Sequence, residues 1–141
     1  ITMMLLGTSL VPPIQGVSDG HHNLSHHGQD ESKLAQLKII ELEKLKVLRD
    51  FLTTLKETRE GDATLLDRTQ VFFSSNLGNA SSHSCKNLPI LLAGGGFTHG
   101  SHLAFDPKSS PPLSNLYVSM LQRLGLEIDR FGSSTGTLMG L

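Results

Sequence analysis

The spacing of apolar residues changes several times along the chain, and each change marks an element. Residues 1–6 are a short apolar run closed by Gly7-Thr8-Ser9, which reads as a buried strand. Pro12, Pro13 and Gly16 then impose an irregular connection. From residue 32 to about 60 the period becomes helical. Leu34, Leu37, Ile40, Leu45, Leu48, Phe51, Leu52 and Leu55 share one face, with Glu43, Lys46 and Asp50 mostly opposite. Asp30 or Ser32 caps the start and Gly61 stops the helix. Ile39, Leu42 and Val47 widen the stripe, while Glu41 and Lys44 interrupt a heptad, so packing on a sheet is favoured over a coiled coil.

Two further runs read as strands: 69–75, centred on Val71-Phe72-Phe73, and 88–93, entered through Pro89 and closed by Gly94-Gly95-Gly96. The triple glycine lacks the lysine and following helix of a nucleotide loop and reads as a tight turn. Residues 97–105, with His99 and His102 around Gly100, read as a hairpin or flap. Pro111-Pro112 precede an amphipathic helix at about 114–124, with Leu116, Met120, Leu121 and Leu124 inward and Gly125 as its stop. The tail, 127–141, is expected to be ordered at Phe131-Gly132-Ser133 and looser beyond. Strand, long helix, strand, strand is the order of an α/β fold: a mixed or mostly parallel sheet flanked by helices.

Composition narrows this only slightly. A chain of 141 residues suggests a single domain or part of one, and 38% hydrophobic content is ordinary for a globular protein. A formal net charge of −1 without a basic block gives no support for nucleic-acid binding. Cys85 stands alone, which rules out an internal disulfide framework or a four-cysteine zinc site. The first 17 residues lack a basic start and are broken by Pro12-Pro13, so they read as neither a signal peptide nor a membrane span.

The densest chemistry lies at Asp19-Gly20-His21-His22-Asn23-Leu24-Ser25-His26-His27-Gly28-Gln29-Asp30. His22 and His26 can share a metal on a helix or in a glycine-bounded loop, and the flanking glycines favour the loop. A solvated surface tract is the plain alternative. A second polar cluster, 75–84, leaves the carboxyl end of the 69–75 strand, where open α/β sheets bind ligands. It offers Asn76, Asn79 and His83, with turn-forming roles as the alternative for the asparagines. His22, His26 and His83 would give three neutral nitrogen ligands and leave a position for water, as in a hydrolytic zinc site. Ser25 or His27 would assist through a hydrogen bond, and Asp19 or Asp30 would orient the imidazoles from behind.

His22-Asn23-Leu24-Ser25-His26-His27 also reads as His-x-x-Ser-His-His, and the chain resembles the bacterial HXXSHH family named for that signature. The resemblance continues through Leu65-Leu66-Asp67, the run from Asn87 through Gly96, His102-Leu103, and Phe131-Gly132-Ser133-Ser134-Thr135-Gly136. It covers about residues 17–141 and implies the C-terminal part of a longer, exported protein of undetermined biochemistry. The layout is distantly similar to the alkaline phosphatase and sulfatase superfamily, which implies an alkaline-phosphatase-like C-terminal portion. Asn76 departs from that pattern, standing where the superfamily carries a carboxylate, and no Asp-His pair is present. Residues and resemblance together lead to a metal-dependent hydrolase-like domain, with a divalent metal such as zinc and a small phosphate or sulfate ester as substrate. The alternatives are a non-catalytic secreted binding or scaffold protein with a structural histidine or metal network, and an interaction module built on the long helix.

Overall fold

A computed structural model describes residues 1–5 and 9–141. The expected first strand is not formed: residues 1–5 have no regular structure and lie exposed, and its last residue, Leu6, falls outside the described residues. The elements in chain order are α1 (His21–Ser25), α2 (Glu31–Glu57), β1 (Arg59–Glu60), β2 (Ala63–Thr64), α3 (Leu65–Arg68), β3 (Gln70–Ser74), β4 (Ile90–Gly94) and α4 (Ser114–Arg123).

The α/β expectation of a mixed or mostly parallel, alkaline-phosphatase-like sheet is overturned. The described strands form two separate two-stranded sheets, β1-β2 and β3-β4, both antiparallel. A parallel pair needs a long crossover, usually helical, and parallel sheets are covered on both faces. The segment joining β3 to β4 has no helix; it folds back through a bridge between Asn79 and Ser84. Ser74, at the end of β3, donates from Oγ to the carbonyl of Pro89, just before β4, at 2.9 Å. Ile90 and Leu91 are exposed, so β4 lacks a covering layer there.

The long helix ends three residues before the expected limit. Thr58 leaves it, and a hairpin turns through Gly61-Asp62, pairing Arg59 with Thr64 and Glu60 with Ala63. Gly61 takes φ +65°, the first-position glycine geometry suited to a two-residue hairpin. Thr64 then caps α3: its hydroxyl accepts from the Asp67 N–H at 3.2 Å, and the Asp67 carboxylate accepts from the Thr64 N–H at 2.7 Å. The triple glycine is a tight turn, with all three residues at positive φ. A Cβ on Gly94 would overlap the carbonyl oxygens of Thr69 and Leu66, so the position requires glycine.

The chain divides into two compact units: Ile1–Leu55 with Phe73–Leu91, and Lys56–Phe72 with Leu92–Leu141. In the first, Leu24 and Ile40 are the buried apolar residues among those described. Only part of the expected α2 stripe is covered, since Leu45 and Phe51 are exposed along with Leu42 and Val47.

In the second unit the core is Leu116 and Val118 of α4, whereas Leu124, expected inward, is exposed beside the helix-terminating Gly125. The tail is not loose. Buried Asn115 accepts from the Thr135 N–H at 2.8 Å and donates to Thr135 Oγ1 and the Thr137 carbonyl; the Leu138 N–H donates to Ser119 Oγ at 2.9 Å. Residues 97–105 form no strand, so the hairpin reading is replaced by an irregular segment in which a His99 ring nitrogen bonds the Gly94 carbonyl at 3.1 Å.

Candidate functional site

Short-range backbone demands shape the His-rich segment. Gly20 sits extended and buried before α1, and a Cβ there would stand 2.6 Å from the Ser9 carbonyl oxygen. From that start the chain makes a five-residue helix, with His26 as its C-cap. The loop expectation is therefore corrected: a short helix carries His21 and His22. It holds because Leu24 is almost wholly buried, 1% exposed, and anchors the turn. Gly28, at φ +52°, then turns the chain toward α2.

The second segment is shaped by its own glycine. At Gly78 a Cβ would overlap the Lys86 carbonyl oxygen, so the two sides of the 78–86 loop touch through bare backbone. Asn79 works as a turn residue: its side-chain oxygen accepts from the Ser82 N–H at 3.1 Å. Within this turn His83 adopts φ +52°, a left-handed conformation uncommon for a side chain of its size. Asn76 is exposed and belongs to no bridge or strand.

These two segments, both in the first unit, meet through imidazoles. His26 Nε2 lies 2.9 Å from His83 Nε2, with ring centroids 4.9 Å apart. The His22 ring stacks on His26 at 4.6 Å, tilted by 31°. A second tie joins the segments where the Gly28 N–H donates to Ser81 Oγ at 3.2 Å. The structure thus brings together His22, His26 and His83, but only His26 and His83 face each other through ring nitrogens. Among the described residues no group of three His, Cys, Asp or Glu side chains is set to hold a metal ion in this conformation.

The remaining candidates occupy other places. Ser25 is buried and donates from Oγ to the His22 carbonyl at 2.7 Å, while its oxygen lies 3.2 Å from His26 Nδ1. His27 turns its Nδ1 to accept from the Gln29 N–H at 3.1 Å. Asp19 accepts from the Gly20 N–H and from Asn23, and Asp30 accepts from the Lys33 N–H at the start of α2. Both aspartates serve helix starts, so the orienting contact on His26 comes instead from the His22 carbonyl, 3.1 Å from Nδ1. Sequence reasoning missed that carbonyl and Ser81, and a backbone acceptor leaves no trace in residue types.

Beside this cluster His21 Nε2 lies 3.0 Å from Glu41 Oε1 and 2.9 Å from Lys44 Nζ. Burial pushes the Glu41 carboxyl up, but the hydrogen bonds from His21 and Lys44 outweigh it and hold the group below its ordinary value. This triad fastens α1 to α2 and fixes the platform from which His22 and His26 project.

The donor set of two imidazole nitrogens suits a borderline metal such as zinc. Tetrahedral zinc bonds of about 2.0–2.1 Å would place two ligand nitrogens about 3.3 Å apart, so the pair would open by a few tenths of an ångström. His22 is exposed, and its ring lies against His26 and is not aimed at the His26–His83 contact.

No protein-family model matches the chain, and neither a curated protein nor a solved structure does. Among the described residues no helix is long and apolar enough to cross a membrane.

Proposed function

We propose that the chain is an HXXSHH-type protein in which His26 and His83, joined by His22, bind a divalent metal of the zinc class and so clasp two segments distant in sequence. The observation that carries this reading is the 2.9 Å approach of His26 Nε2 to His83 Nε2 across 57 residues of chain. A short helix end and a loop, each shaped by an obligatory glycine, converge on that one contact. The role is that of a structural or binding histidine network, the class in which a metal contributes directly to the stability of the fold. Kinship to the HXXSHH proteins is supported by the His-x-x-Ser-His-His signature itself and would make this an exported protein.

Elemental analysis and zinc titration of the whole chain test the reading. About one zinc per chain is expected, with binding abolished in His26→Ala and His83→Ala and weakened in His22→Ala. Wild-type protein that takes up no zinc would end it.

A second reading, metal-dependent hydrolysis of a phosphate or sulfate ester, draws support from the exposure of His22 and His83, which would leave coordination positions open to water. Zinc-loaded protein would then turn over aryl phosphate or sulfate esters, and His26→Ala would not. Against Ser25 as nucleophile stands its proton, already given to a carbonyl.

A further inference from the structure

Three contacts around His26 have a single arrangement of protons that satisfies all of them. The His22 carbonyl can only accept, and it lies 3.1 Å from His26 Nδ1. Ser25 has one hydroxyl proton, and the 2.7 Å contact to the same carbonyl takes it. The Ser25 oxygen therefore turns lone pairs toward His26 Nδ1 at 3.2 Å. A bare Nδ1 would face two oxygen lone pairs and no donor, whereas an Nδ1–H would be shared between two acceptors. Nδ1 carries the proton.

We infer that Ser25 is a positioning residue of this site: together with the His22 carbonyl it locks His26 as the Nδ1–H tautomer, leaving Nε2 a standing lone pair aimed at His83. His83 donates its Nε2–H to that lone pair, which accounts for the 2.9 Å separation. Were a metal to bind there, His26 would need no proton change, and only His83 would have to carry its proton on Nδ1 in place of Nε2. The serine of the signature thus has a role without nucleophilic chemistry, one in which the other ring nitrogen's hydrogen bond fixes which nitrogen is free. The tautomer stands without the metal; its effect on affinity rests on the metal-binding reading proposed above.

The test is long-range 1H–15N correlation of the histidine rings in metal-free full-length chain, followed by zinc titration, for wild type, Ser25→Ala and Ser25→Thr. Wild-type His26 is expected as Nδ1–H with a bare Nε2. Removing the hydroxyl in Ser25→Ala takes away one of the two acceptors, so the Nε2–H form that imidazole prefers in water becomes populated and zinc affinity falls about tenfold or more. Ser25→Thr, which keeps the hydroxyl, is expected to restore both. A wild-type His26 carrying Nε2–H overturns the inference whether or not any variant folds. So does a Ser25→Ala chain with unchanged tautomer and affinity. If His26 is locked as stated but no zinc binds, the metal reading fails while this inference stands.

Discussion

Gly78 is the residue on which the site's second half depends. Any side chain there overlaps the Lys86 carbonyl, a backbone atom that cannot move aside without opening the loop that carries His83. Gly78→Ala is therefore expected to cost about 1–3 kcal/mol in urea unfolding, the usual range for overpacking, and to weaken zinc binding. Unchanged affinity would mean that the loop can be rebuilt without moving His83. At this scale the sequence was informative about which histidines gather, because the chain must leave β3 into the 75–89 segment whatever the direction of the neighbouring strand. What residue types could not convey is which nitrogen faces which partner. That depends on the His22 carbonyl and on the single proton of Ser25, both matters of backbone geometry.

Among the elements, α3 owes its start to one reciprocal pair. The Thr64 backbone N–H, with the Thr64 hydroxyl adding to it, holds the Asp67 carboxyl below the usual carboxylate range. A depressed folded value gives stability that is present above the unfolded value and lost as pH falls through the folded one. Asp67→Asn should therefore flatten that part of the acid limb of a stability profile, while Thr64→Ala is expected to cost about 1 kcal/mol near neutrality. An acid limb identical in Asp67→Asn and wild type would show that the box contributes nothing. The helix α2 divides more sharply. Ile40 is 4% exposed and Phe51 49%, so Ile40→Ala is expected to cost about 2–5 kcal/mol and Phe51→Ala about 1 kcal/mol or less in the same measurement. The 3.6-residue period located this helix and α4 to within a few residues. It could not say how much of the α2 stripe is covered, since coverage depends on neighbours that the pattern does not contain. Nor did it foresee that the Gly-, Ser- and Thr-rich tail is held by Asn115, because one buried amide reads as an ordinary polar residue.

For the whole molecule, the α/β reading failed at strand direction. A continuous apolar run such as Val71-Phe72-Phe73 looks the same in a parallel or an antiparallel pair, and the connection settles the matter: it has no helix and folds back on itself. The result is two small cores in place of one covered sheet, Leu24 and Ile40 in the first unit, Leu116 and Val118 in the second. The histidine cluster and its hydrogen-bond partners belong wholly to the first. Leu116, 4% exposed, is expected to cost about 2–5 kcal/mol when cut to alanine. Zinc at 100 times its dissociation constant should add about 2.7 kcal/mol to any folded chain that binds it. Leu116 and the imidazoles belong to different compact units, so the two effects are expected to add: Leu116→Ala lowers the urea midpoint yet keeps the full zinc increment, whereas His26→Ala loses the increment. Loss of the zinc increment in Leu116→Ala would instead mean that the α4 core must be intact for His26 and His83 to meet, which would tie the site to the whole chain.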